Sequence, residues 1–222
     1  LVIPIILMSA RPAVFMDLQR LIDKPIRGTY YFLTQLRVML TYVRLVFMPL
    51  NQNIDYDYPI IKTLFNPSLL LSIPILLIIL IIAVRMFHRY RLSSFGILYF
   101  FLALLPESSL MPLKDAIFEH RLYLPMFGYG IFVTSLFLYL LQSRILLSYN
   151  LERWRRSFVI IIPLIIIILY SVLSYNRNLV WKDELALWDD AVKKSPKKAR
   201  PYQGRGKAYH EKGEIDRALL RG

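Results

Sequence analysis

The sequence predicts an all-α chain, a polytopic transmembrane helical domain followed by the start of an α-solenoid. Three observations carry that prediction. Apolar residues make up 56% of the 222 residues and the mean hydropathy is +0.46, which is too apolar for a soluble domain of this size. Those residues come in runs that approach the roughly 20 a helix needs to cross a hydrocarbon core, where only a helix satisfies its own backbone. After Asn176 the composition turns polar and the apolar residues recur at the spacing of short amphipathic helices.

The bulk numbers also exclude. With no Cys there is no disulfide framework and no thiolate metal site, and the three His (His88, His120, His210) are scattered. A net charge of +13 suggests nucleic acid at first sight. The basic residues instead lie between hydrophobic runs and in the tail, with no aromatic-interleaved platform, so topology explains them and no nucleic-acid partner is expected. Residues before Arg11 read as the last turns of a hydrophobic helix, and Leu219-Leu220-Arg221-Gly222 stops inside an amphipathic pattern. Both ends are therefore expected to be cut from a longer protein, with 1–176 the C-terminal half of a membrane domain.

The elements follow in order. Tyr30 to Leu50 is long enough to span but carries Thr34, Arg37, Thr41 and Arg44 at helical spacing, a polar stripe on an apolar helix. Arginines facing lipid are costly, so the stripe is expected to face a polar cavity or the headgroups, as a partly embedded helix on the outer side. The alternative is an ordinary span that places Arg20, Lys24 and Arg27 inside. Three clear spans come next, Pro67 to Phe87, Arg121 to Gln142 and Ser157 to Tyr175. A short fourth, Ser94 to Pro106, must cross between its neighbours and is expected to end near a cavity. Arg85, Arg89 and Arg91 fill one short loop, and Arg144, Arg153, Arg155 and Arg156 another. The positive-inside rule puts both in the cytoplasm, with His88 merely interfacial. Residues 51–66, 107–120 and everything after Asn176 are then extracytoplasmic.

Three outer features converge on one face: the arginine stripe, the acidic turn 51–59 and the loop 113–121. Arg37, Arg44, Lys114 and Arg121, with His120 beside them, offer donors for a phosphate or pyrophosphate, and Arg gives the bidentate geometry such a group favours. Asp55, Asp57, Asp115 and Glu119 offer oxygen ligands for a divalent cation, or a base. The structural alternatives are as natural. Arg121 at a helix start anchors it at the interface, Glu119 and His120 solvate a turn, and Asp55-Tyr-Asp57 before Pro59 makes an Asx turn.

In the tail a helical pattern from Trp181 through Leu185, Trp188, Ala191 and Val192 ends at Pro196. Tyr202, Gly206, Tyr209, Gly213 and Ala218 then follow at intervals of four, three, four and five. That register resembles the tetratricopeptide repeat. Trp188, Ala191 and Pro196 fit the closing helix of a preceding half-repeat, although Glu184 stands where Ala is usual. Residues 177–222 are thus read as the first one and a half repeats, truncated, and stacking requires about three or more repeats in all.

Repeats directly after a multi-span domain make the chain resemble the transmembrane and tetratricopeptide-repeat proteins related to protein O-mannosyltransferases, whose membrane domain is of GT-C type. The residues that carry the resemblance are YFLTQLRVMLTYVRLVFMPLNQNIDYDYP (31 to 59), KDAIFEHRLYLPMFGYG (114 to 130) and RNLVWKDELALWDDAVKKSPKKARPYQGRGKAYHEKG (177 to 213). The resemblance implies a membrane glycosyltransferase that moves a sugar from a polyprenyl-phosphate donor to a protein hydroxyl on the extracytoplasmic face. It implies that Arg121, with Arg37 and Arg44, meets the donor phosphate, and that the repeats hold the acceptor protein. Such enzymes carry their catalytic acids in a first outer loop, expected upstream of Leu1, so no base is assigned and the metal requirement stays open. The alternative from another class is a membrane-anchored repeat scaffold without catalysis. A transporter draws little support from unbroken apolar runs with few internal charges.

Overall fold

A computed structural model describes residues 28–109, 115–142 and 149–214, with side chains described except at 107, 109, 141–142 and 149–159. The opening apolar run with Arg20, Lys24 and Arg27, the loop residue Lys114, the loop arginine Arg144 and the repeat residue Ala218 lie outside the described residues. Among the described residues the chain is all-helical, with no strand. The helices are α1 (Gly28–Phe47), α2 (Pro67–Met86), α3 (Arg91–Ser109), α4 (Tyr123–Gln142) entered through a 3-10 helix (Glu119–Leu122), α5 (Tyr149–Trp181), α6 (Glu184–Lys194) and α7 (Ala199–Glu211).

Three helical stretches are long and apolar enough to cross a membrane: Pro67–Met86, Glu119–Leu140 and Ile160–Trp181, and the shorter Arg91–Pro106 is also apolar. These agree with the expected spans, with two differences. The helix expected over 94–106 runs from Arg91 to Ser109 and carries Pro106 inside it, so it does not stop short. The last span continues past Tyr175 to Trp181. Trp181 therefore closes α5, and the amphipathic helix expected to begin there starts at Glu184 instead. Ile160, Ile161, Ile162, Leu164, Ile165, Ile166, Ile167, Ile168 and Leu169 are all exposed on α5. Such a surface suits lipid as its solvent and would aggregate in water.

The core is built where α1, α2 and α3 meet. Val38, Met39, Tyr42, Leu45 and Val46 of α1 bury against Leu76 of α2 and Phe100, Phe101 and Leu104 of α3, with Ala116 and Ile117 closing the top. Asn66 caps α2, its Oδ1 accepting from the Ser68 backbone N–H at 3.0 Å, with Pro67 at the first helical position where its missing donor is harmless. α3 and α4 make the closest helix pair. A Cβ on Gly96 would lie 2.6 Å from the Gly128 carbonyl oxygen, and one on Gly128 would lie 2.6 Å from that of Gly96. Small residues let two backbones approach in an apolar solvent, where hydroxyl pairs add cohesion. Here Ser93 and Ser135 pair at 2.8 Å, and Tyr90 donates to Tyr139 at 2.8 Å.

α6 and α7 form an antiparallel pair after the last span. Trp188 of α6 lies flat against Gly204, where a Cβ would meet the indole at 2.3 Å, and Asp189 pairs with Arg205 at 3.4 Å. Beyond α7 the chain turns at Gly213, whose φ of +76° is open to glycine without strain.

Candidate functional site

The polar stripe on α1 is covered by the chain itself. After Phe47 the backbone leaves the helix and folds back along it. The Ile61 N–H donates to Thr34 Oγ1 at 2.9 Å, Tyr58 pairs with Thr41 at 2.8 Å, and Arg44 donates to the Leu50 carbonyl at 3.4 Å. Arg37 sits 5.2 Å over the Tyr58 ring. The stripe therefore does not face an open polar cavity. An irregular segment must satisfy its backbone groups somewhere, and this one does so partly on the hydroxyls and arginines of α1. Of the predicted phosphate donors on α1, Arg37 is half-buried and Arg44 exposed.

The segment 115–122 is pinned to the same helix. Gln35 donates to the Ala116 carbonyl at 2.7 Å, and the Tyr42 hydroxyl both donates to the Phe118 carbonyl (3.0 Å) and accepts from its N–H (3.1 Å). Arg121 is buried, donates to the Tyr31 hydroxyl (3.3 Å) and the Ala116 carbonyl (3.4 Å), and lies over the Phe118 ring. It holds this loop on α1 and does not line the groove described next. His120 points the other way, exposed and stacked on Phe118 at 5.0 Å. Glu119 accepts from the Asn53 N–H (2.7 Å) and the Tyr56 hydroxyl (2.6 Å). Burial, and then that bond to the Glu119 carboxylate, hold the Tyr56 hydroxyl far above its ordinary pKa of 10.0, so it remains a donor.

Between the end of α1, the start of α4 and the top of α5 lies an open groove of about 780 Å³. It is lined by the apolar Leu45, Val46, Pro49, Leu122, Met126 and Leu173, by the polar Glu119, His120, Tyr170, Ser174, Arg177 and Asn178, and by Tyr123 and Trp181. Tyr170 fixes one side by donating to the Phe47 carbonyl at 2.8 Å. Arg177 pairs with Asp190 of α6 at 2.9 Å and stacks 5.8 Å from the Trp181 ring, and its Nη2 is buried with no hydrogen-bond partner among the described residues. Two further cavities, of about 230 and 640 Å³, lie among α1 to α4 and are lined by hydrophobic and aromatic side chains apart from Gly96. A groove lined mostly by apolar side chains with a few polar groups among them can take an amphiphile.

The acids are divided between two places. Asp55 is buried and, with Asp115, engaged by the α6–α7 turn: Lys198 bridges both carboxylates, and Arg200 reaches Asp55 at 3.3 Å and Asp115 at 3.0 Å. Burial works to raise the Asp115 carboxyl, but the hydrogen bonds and charge of Lys198 and Arg200 outweigh it and hold the group below its ordinary 3.8. Ser195, fully buried, accepts from Asn53 Nδ2 (2.8 Å) and the Asp57 N–H (2.9 Å) and donates to the Asp55 carbonyl (2.6 Å). Lys194 adds a bond to the Gln52 carbonyl at 2.7 Å. The Asp57 side chain is exposed, so the four predicted acids do not converge. No group of three or more His, Asp or Glu placed to hold a metal ion occurs among the described residues.

The repeat signature residues fall on the helix pair. Trp188 and Ala191 lie on α6, with Ala191 buried, and Pro196 follows in the turn. Tyr202, Gly206 and Tyr209 lie on α7, with Tyr209 buried and the Tyr202 hydroxyl donating to the Pro196 carbonyl at 3.1 Å. Sequence reasoning missed Arg177, Asp190, Ser195, Lys198 and Gly204. The only signal for the turn residues was the basic run Lys193 to Arg200, which on its own reads as a solvated loop. Comparison of the chain with known protein families, with curated proteins and with solved structures finds no match.

Proposed function

We propose that this chain is part of a membrane glycosyltransferase that moves a sugar from a polyprenyl-phosphate donor to a protein hydroxyl, with α6 and α7 opening a tetratricopeptide-repeat array that binds the acceptor. In this reading the groove and the repeats share the extracytoplasmic face. The observation that supports it is the groove itself, lined by apolar side chains of α1, α4 and α5 together with the polar His120 and Arg177. In the transfer, the bond from the sugar's anomeric carbon to the phosphate oxygen breaks and a bond to the acceptor oxygen forms. The acceptor's proton passes to a base, and negative charge is left on the polyprenyl phosphate. Cations placed against that phosphate favour the transition state over the ground state, where the charge is less developed. Arg177 takes this role in place of Arg121, whose guanidinium is buried against α1.

The test is transfer from a radiolabelled polyprenyl-phosphate sugar in proteoliposomes holding the intact protein. Arg177→Gln should lower the rate roughly tenfold to a hundredfold, with His120→Ala acting in the same direction. An unchanged rate in a folded Arg177→Gln protein sinks the assignment. The scaffold reading draws on a different observation, that Asp55 and Asp115 are both occupied in holding the helix pair. It expects partner capture to be unaffected by a groove-blocking Ser174→Trp, while no sugar transfer is found in any variant.

A further inference from the structure

The α6–α7 turn and the first residues of α7 meet the membrane-side loops through their own side chains, which take both carboxylates and backbone groups of the loops. Two cations, Lys198 and Arg200, face two carboxylates, Asp55 and Asp115. Ser195 adds the hydrogen bonds that fix the turn's direction, and Lys198 also donates to the Tyr56 carbonyl at 3.3 Å. Among the described residues no apolar core joins α6 and α7 to α1, α2 and α3: the buried hydrophobic clusters of the membrane-side helices contain no described residue beyond Tyr129. In a contact of charge without an apolar core, desolvation offsets much of the gain from the ion pairs, and separating it exposes little apolar surface. The contact also sets the groove, because Asp190 on the same α6 pairs with Arg177.

We infer that the α6–α7 turn is a releasable strap. Closed, it holds the helix pair on the outer loops and keeps Asp190 against the groove's Arg177; open, it swings the helix pair away as a unit, withdraws that carboxylate and frees Asp55 and Asp115. The strap thereby links whatever pulls on the helix pair to the electrostatics of the groove. This goes beyond the transfer reaction and holds whether or not the groove binds a lipid phosphate.

These 222 residues hold no cysteine, so cysteines introduced among them can serve as spin-label sites. One pair, Lys62→Cys with Lys207→Cys, reports the distance from loop to helix pair, and a second, Ala186→Cys with Lys207→Cys, reports the distance within the helix pair. All three positions are exposed. With the intact strap both pairs should give one sharp distance. Lys198→Met with Arg200→Gln should broaden and lengthen the first while leaving the second sharp, and Lys197→Met, at an exposed neighbour, should change neither. A first distance that stays sharp without both cations overturns the strap. Broadening of both pairs overturns it too, because the turn would then be part of the helix pair's own fold.

Discussion

Where α3 meets α4 the contact is made without charge: two glycines bring the backbones together, and a serine pair and a tyrosine pair bond across them. Where the α6–α7 turn meets the segments 51–59 and 115–118 it is made almost wholly of charge and hydrogen bond, around Asp55, Asp115, Ser195, Lys198 and Arg200. The difference follows from the solvent. Lipid offers an apolar surface no reward for associating, so α3 and α4 depend on fit and dispersion. At the water-facing end, polar groups already hydrated must be repaid by close, multiple partners once they are buried.

The comparison breaks most severely at the glycines. Gly128→Leu places a side chain into the Gly96 carbonyl and the Phe100 backbone, which cannot give way, and should destabilise the membrane-side core by about 3 kcal/mol or more. Thermal unfolding in detergent would show it, with no dependence on salt. Asp55→Ala should rank next. It leaves Lys198 facing Asp115 alone and strips one member from a buried pair, an effect of about 3 kcal/mol at most, confined to docking of the turn. Limited proteolysis in the turn should rise while thermal unfolding of the membrane helices stays the same. Arg200→Gln should have the smallest effect, about 0.2–1 kcal/mol, because that side chain is 46% exposed and already screened. The pH response sharpens the same point. Since the Asp115 carboxyl is held below its ordinary 3.8, its contribution is complete above that value and is lost as pH falls through the lowered one. Docking should therefore hold from neutral pH down to the carboxylate range and loosen only beneath it. A release near neutrality would show that another group controls the turn.

Much of this architecture was legible in the sequence. Long apolar runs broken by arginines located the spans, and aromatic and glycine spacing placed α6 and α7 correctly on either side of Pro196. The boundary at Trp181 was misplaced because an aromatic at a helix end fits the closing turn of one helix as readily as the first turn of the next. The helix expected over 94–106 extends beyond both of those bounds and passes through Pro106 and Glu107. The site was less legible for a different reason. Lys198 and Asp115 are 83 positions apart and Ser195 and Asn53 are 142 apart, and no local periodicity records a pairing at that distance. Arg121 was equally illegible in its partners: its place in a charged loop suggests a ligand, and nothing local records that the guanidinium turns inward to the Tyr31 hydroxyl of α1.

The continuity of α5 has a mechanical consequence. At 33 residues, with Pro163 inside it, it runs about 50 Å along its path, well beyond the roughly 30 Å of a hydrocarbon core, and only two residues separate it from α6. A body joined to a membrane at one point can pivot about it, whereas one joined at two separated points cannot. With α5 as the first attachment and the Ser195 turn as the second, the helix pair is clamped against rotation. Loss of the second attachment would leave it free to turn about α5 as an axle.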